Sequence, residues 1–172
     1  MWTEDEPTFS GKRYSIDKPI NEPKSGVPGR KVPLWLGGGG EKVTLKLAAQ
    51  YADACNLGAG KPEVITVNLD TLRKLCEDVG RDYNEITKST SINVIPLENP
   101  SDAFIQRATA QRGGQVALDK IRTGYGIGES AIREKIDKAL EAGADYVISY
   151  VPGLAYDDEL IPAYSSIIST YV

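Results

Sequence analysis

The chain has 172 residues, of which 41% are hydrophobic and 26% charged, with a net charge of −4 and an isoelectric point near 5.0. That is enough for one domain with a real core, and the acidic balance argues against nucleic acid or an acidic membrane surface as partner. There is no histidine, which removes the Ser-His-Asp triad, the commonest general base and every His-containing metal site.

The two cysteines, Cys55 and Cys76, are isolated in sequence and fit a reducing compartment better than a disulfide scaffold. No apolar run approaches the roughly 18 residues that span a bilayer. The acidic start Met1-Trp2-Thr3-Glu4-Asp5-Glu6 has no apolar core and is not expected to be a signal peptide. Cytoplasm is the expected location.

Residues 8–16 predict a short hairpin, with Thr8-Phe9 and Tyr14-Ser15-Ile16 as arms and Ser10-Gly11-Lys12 as turn. Asp17 to Lys31 predicts an extended loop, because Pro19, Pro23 and Pro28 alternate there with Gly26, Gly29 and basic residues. Val32 to Leu36 is a short apolar strand, expected to be buried on both faces. It runs into Gly37-Gly38-Gly39-Gly40 and then a helix over Glu41 to Tyr51. Asp53 to Asn56 is a second short strand.

Pro62 to Val79 predicts a long amphipathic helix that Gly80 stops. Ile86 to Ile95 is β-rich, and Ser101 to Arg112 is helical with Ser101 as N-cap. Gly113-Gly114 breaks that helix, and the Gly-rich stretch Leu118 to Gly128 has no clear period. Glu129 to Ala142 is an amphipathic helix with Ile132, Ile136 and Leu140 in register, capped by Gly143. Tyr146 to Val151 reads as a buried strand, and Asp157 to Tyr171 as a last helix with a break expected at Pro162. Strands alternating with helices imply βαβ units and a parallel sheet. Four such strands are half of what a (β/α)₈ barrel needs.

The residues that carry most information are Pro33-Leu34-Trp35-Leu36-Gly37-Gly38-Gly39-Gly40 followed by Thr44-Leu45-Lys46-Leu47-Ala48-Ala49-Gln50-Tyr51-Ala52-Asp53-Ala54-Cys55-Asn56. Around them lie Trp2-Thr3-Glu4-Asp5 with Thr8 to Tyr14, Leu75 to Asp82 with Glu85-Ile86, and Ile127-Gly128-Glu129-Ser130 with Ala142 to Tyr146. In this order they resemble the bacterial luciferase-like superfamily, in its coenzyme F420-dependent oxidoreductase branch. One departure is Gly128-Glu129-Ser130, where the family's usual Gly-Thr-Pro stands.

The resemblance implies an α/β fold: the C-terminal half of a (β/α)₈ TIM barrel, about four βα units, preceded by a short β-hairpin. The whole of 1–172 is then one partial domain, 1–31 being hairpin and Pro-rich loop and 32–172 the βα units. It also implies an F420- or FMN-dependent oxidoreductase or monooxygenase acting on a small-molecule substrate. Met1 stands where the family commonly has a leucine before Trp2, so the sequence looks like a barrel entered at an internal position. No catalytic residue is assigned, because the family's catalytic residues lie mostly in the other half. The alternative is a non-catalytic half-barrel that binds a phosphate-bearing ligand or self-associates. Either way, half a barrel is expected to expose strand edges that a second copy would close.

The candidate site residues are cofactor-binding. Gly37, Gly38, Gly39 and Gly40 let backbone amides approach a phosphate at the head of a helix. Lys42 adds charge and Thr44 a hydroxyl, while Glu41 competes for the anion position. Asn56 closes a strand, where it serves either a cofactor polar group or the turn before Leu57-Gly58. Cys55 reads as a core residue, Asp53 as a structural hydrogen-bonder, and Arg81-Asp82 as a surface turn. Thr87, Ser89, Ser91 and Asn93 form one polar row of a strand, with Lys88 on the other. Gly124 to Gly128 is a weak dinucleotide signature, since no clear strand precedes it.

Overall fold

The computed structural model describes residues 4–22, 24, 32–58, 60–110 and 118–171. The chain forms two compact units, Met1–Leu34 and Trp35–Val172. In the first, β1 (Thr8–Ser10) pairs antiparallel with β2 (Ser15–Asp17), with Phe9 opposite Ile16. The Gly11 amide closes the turn on the Tyr14 carbonyl at 2.9 Å, so Ser10 belongs to the strand and Tyr14 to the turn. Residues 23 and 25–31 of the Pro-rich loop, and the Gly113-Gly114 helix break, lie outside the described residues.

The second unit holds a parallel sheet. β3 (Trp35–Gly37), β4 (Ala54–Asn56) and β5 (Thr87–Ile95) lie side by side, and β7 (Tyr146–Tyr150) also pairs with β5. The short β6 (Gly126–Ile127) pairs with the last two residues of β5. The helical elements are a turn of π-helix over Glu41–Leu45 that continues into α1 (Lys46–Tyr51), then α2 (Pro62–Val79), α3 (Asp102–Ala110), α4 (Leu118–Gly124), α5 (Glu129–Glu141) and α6 (Leu160–Ile168). A 3₁₀ turn, Tyr83–Glu85, precedes β5. Among the described residues no helix is long and apolar enough to cross a membrane.

Local chemistry explains the helix ends. Pro62 opens α2 in the first turn, where an amide would have no partner, and Gly80 closes it at φ 69°. Ser101 Oγ accepts the Phe104 amide at 3.2 Å, capping α3. Pro162 sits in the first turn of α6, where its missing donor costs nothing. The break expected there is therefore absent, and the helix starts at Leu160 rather than Asp157.

The core lies between the sheet and its helices. Leu36 of β3 and Cys55 of β4 pack with Leu45, Ala48, Ile65, Leu69 and Leu72. Ile92 and Val94 of β5 pack with Ile132, Ile136 and Ile167. Because strand side chains alternate, Trp35, Asn56, Ser91 and Tyr146 take the opposite face. Trp35 and Tyr146 meet edge to face at 5.6 Å, although β4 and β5 separate their strands. At about 4.8 Å per strand a flat sheet would hold their backbones roughly 14 Å apart, so this face is concave.

That face corrects two expectations. β3 and β7 are not buried on both sides: Trp35 is 45% exposed, Tyr146 52% and Tyr150 48%. A strand reads as continuously apolar when it is made for a closed barrel, and these four main strands leave the inner face open. β3 also starts at Trp35 rather than Val32. Likewise Val43, Leu47 and Leu140 are exposed, and Leu45, Ala48, Ala49 and Ala139 carry the burial of their helices.

Candidate functional site

The glycine turn joins the C-terminal end of β3 to the helical segment that begins at Glu41. Gly38, Gly39 and Gly40 have different tasks. Gly38, at φ +128°, donates its amide to the Asn56 carbonyl at 2.9 Å. That amide is committed to β4 and is not offered to a ligand. A Cβ on Gly39 would lie 2.4 Å from Asn68 Nδ2, so the side chain of Asn68 fills the space there. Asn68 is a buried residue of α2, and its Nδ2 also donates to the Leu57 carbonyl at 3.4 Å.

Gly40 is extended (φ −73°, ψ 108°), and its carbonyl accepts the Leu45 amide five residues on. This makes the first turn a wide one, of the π type that recurs at functional sites. Thr44 covers the turn: its Oγ1 lies 3.4 Å from the positions a Cβ would take on Gly38 and Gly40.

Among the described residues, the amides of Gly39, Gly40, Glu41 and Lys42 meet no acceptor. They head a helical segment whose peptide dipoles add positive potential there. Lys42 is exposed beside them, as is Glu41. The arrangement suits a phosphate: several donors without side chains in the way, one cation, and one hydroxyl.

Asn56 is engaged within the protein. Its Nδ2 donates to Ser91 Oγ at 3.0 Å, and its Oδ1 accepts the Gly58 amide at 3.3 Å. It thus straps β4 to β5 and to the following turn, next to the glycine turn that its carbonyl holds. Ser89 is buried with its hydroxyl on the Cys55 carbonyl at 3.2 Å. The Asp53 carbonyl accepts the Thr87 amide at 3.0 Å. Lys88, on the other row, is buried and paired with Asp145 at 2.8 Å.

Arg81 is not the surface turn residue expected. Its guanidinium donates to the Ala48 and Ala49 carbonyls at 3.3 and 3.4 Å, satisfying the end of α1. The Gly-rich stretch 124–128 resolves into the end of α4, β6 and the head of α5. There Glu98 Oε1 accepts the Glu129 amide at 2.9 Å, so the protein's own carboxylate occupies that helix head.

Sequence reading missed Asn68, Glu98 and Asp145. Asn68 left a signal: it interrupts the buried face of α2 between Ile65 and Leu72, and a buried amide needs a partner. Glu98 and Asp145 left none, because their partners are distant in sequence.

Cys55 is fully buried, and burial, with Cys76 adding to it, pushes its thiol up to about 11. At pH 8 its reactive thiolate fraction is about 10⁻³. We expect iodoacetamide to leave Cys55 unmodified in the native protein and to alkylate it in urea; rapid native labelling would contradict this burial. The raised folded value also means that stability is lost as pH rises from the unfolded thiol near ~8.5 towards 11.

A family model described as luciferase-like monooxygenase matches residues 1–148. Among solved structures, an F420-dependent secondary alcohol dehydrogenase in complex with an F420-acetone adduct is similar at 22% identity and TM-score 0.63, over 94% of this chain and 57% of that one. Monooxygenase RslO1 from Streptomyces bottropensis is similar at 14% identity and TM-score 0.65, over 99% and 57%. The oxygenating constituent of 3,6-diketocamphane monooxygenase from Pseudomonas putida, in complex with FMN, is similar at 12% identity and TM-score 0.60, over 98% and 57%. The chain therefore spans little more than half the length of these proteins, and at these identities they establish the fold, that of TIM-barrel proteins. The family match covers most of the chain, which belongs to the luciferase-like monooxygenase family.

Proposed function

We propose that this chain forms the phosphate-anchoring wall of an F420- or FMN-dependent oxidoreductase. The observation that carries the reading is the set of four amides at Gly39 to Lys42 that meet no acceptor among the described residues, heading a helical segment at the C-terminal end of a parallel strand. Gly39, Gly40 and Lys42 would hold the phosphate, with Thr44 adding its hydroxyl. Gly37, Gly38 and Asn56 set the shape of the turn from behind. F420 or FMN, when bound, supplies the hydride or oxygen chemistry. The protein's share is to fix one end of the cofactor and one wall of the barrel. F420 is named first because the motifs resemble that branch; FMN is the alternative, and the phosphate group is common to both.

Fluorescence titration with F420, FMN and riboflavin tests this. Either phosphorylated cofactor is expected to bind while riboflavin, which lacks the phosphate, binds at least about tenfold more weakly. Equal binding of FMN and riboflavin, or binding of neither F420 nor FMN, would remove the anchor.

We also infer that the 172-residue chain, studied by itself, pairs with a second copy. The exposed Trp35, Tyr146 and Tyr150 line a concave face, and β3 and β7 are the two end strands of the four main strands. A two-fold axis along the barrel would set β3 of each copy beside β7 of the other, all strands remaining parallel. Sedimentation equilibrium should give twice the 18.6 kDa chain mass; a monomer at micromolar concentration would end this reading.

A further inference from the structure

A cleft of about 170 Å³ lies between α3 and the loop after β7, lined by Phe104, Arg107, Ala108, Gly153, Tyr156 and Asp157. It adjoins a larger one of about 520 Å³, bordered by Tyr150, Val151, Leu154 and Ile161; Ala108, Gly153 and Tyr156 border both. α3 follows β5 and the loop follows β7, so the cleft sits at the C-terminal end of the sheet, the end that carries the glycine turn. In barrels of this kind that end is where chemistry is done.

The lining is apolar and aromatic apart from one cation and one carboxylate. Among the described residues, the Arg107 guanidinium has no carboxylate or carbonyl partner; its ring contact is with Phe104, 5.9 Å from the centroid. Asp157 already accepts the Glu159 amide through Oδ1 at 3.2 Å. Arg107 is exposed, and an arginine that meets no acceptor keeps its fork of donors free for a planar anion.

We propose that this cleft binds a small aromatic carboxylate, its anionic end on Arg107 and its ring against Phe104 and Tyr156. The proposal rests on the reading of the chain as part of an oxidoreductase, for which it names a substrate class. The hydrocarbon part would extend past Ala108 and Gly153 into the larger cleft.

The test uses the 172-residue protein without cofactor, so that its outcome is separate from that of the phosphate anchor. Phenylacetate and its neutral analogue 2-phenylethanol are titrated, and binding is read from amide shifts in nitrogen–proton correlation spectra. Phenylacetate is expected to bind about tenfold more tightly than the alcohol, with the largest shifts at Ala108, Gly153 and Tyr156. Arg107→Gln should abolish that tenfold preference while leaving the alcohol unchanged. Tyr156→Ala, at a position 76% exposed and safe for folding, should weaken both ligands alike. Equal affinity for acid and alcohol, shifts centred elsewhere, or an unchanged preference in Arg107→Gln would overturn the proposal. Should phenylacetate bind here while F420 and FMN fail to bind, the cleft stands and the cofactor reading falls; the reverse result keeps the anchor and removes the cleft.

Discussion

Asp145→Ala is expected to destabilise the protein by about 2–4 kcal/mol, and Lys88→Met by well under half of that. The asymmetry comes from exposure. The Lys88 side chain is 9% exposed, while that of Asp145 is 49% exposed. Their contact is more than one ion pair: Asp145 Oδ2 lies 2.8 Å from Lys88 Nζ and also accepts the Lys88 amide at 3.1 Å. The Asp145 amide in turn donates to the Lys88 carbonyl at 2.7 Å. This clamp sets the start of β7 beside the start of β5, so its loss loosens the pairing of the longest strand.

Removing Asp145 leaves the ammonium group 4.9 Å from the Tyr83 ring, while Asp70 of the same cleft is already paired with Arg73. Arg73 already lies 4.8 Å from that ring, so the ring cannot compensate fully. The adjoining cleft of about 330 Å³ admits water to the lysine, which is why the range sits below the ~3–5 kcal/mol of a fully buried pair. Lys88→Met removes the buried charge, keeps the stem packed, and leaves a carboxylate that water can solvate. Urea unfolding should show a lower midpoint with unchanged slope for Asp145→Ala. A shift of less than about 0.5 kcal/mol would mean the pair is no more than a surface contact.

The sequence shows why some of this molecule was legible and some was not. α2 was readable to the residue, because its proline start, glycine stop and apolar period all agree. β5 was placed to within one residue by its β-rich composition, and α5 by its apolar period and the glycine that follows it. The buried state of β3 and β7 was misjudged, because apolar composition reports what a strand is made to pack against. It does not report what these four main strands place there: Trp35 and Tyr150 carry barrel-interior side chains on a face that is half solvent.

At the site, the glycine run gave the position but not the division of labour. Nothing in four identical residues says that Gly38 spends its amide on Asn56, that Gly39 yields its space to Asn68, or that Gly40 opens a π turn. Those roles depend on β4 and α2, which are brought there by the fold. Arg81 was misread on similar grounds: an arginine after a helix-ending glycine is usually solvated, and only the packing of α1 against α2 supplies its two carbonyl partners.

That division of labour decides which substitution probes the anchor. Gly39→Asp is a poor choice: its Cβ would meet Asn68 Nδ2 at 2.4 Å, so lost binding and lost folding would look alike. Gly40→Asp is the informative one. Gly40 has φ −73° and ψ 108°, open to any residue, and its nearest neighbour for a Cβ is Thr44 Oγ1 at 3.4 Å. It is also the N-cap position, where aspartate is among the preferred residues. The variant should therefore keep or raise the melting temperature, gaining up to a few tenths of a kcal/mol.

Its carboxylate would take the same amides that the phosphate needs. Like charges about 5 Å apart at an effective dielectric near ~20 repel by about 3 kcal/mol. Allowing for solvent, roughly 30- to 100-fold weaker cofactor binding is expected. The loss should be larger for the phosphate monoester of FMN than for the singly charged phosphodiester of F420, and absent for riboflavin. A stable Gly40→Asp protein that binds FMN as the parent chain does would place the phosphate elsewhere. A stable variant that loses FMN and keeps riboflavin would tie the cofactor to this turn through its phosphate alone.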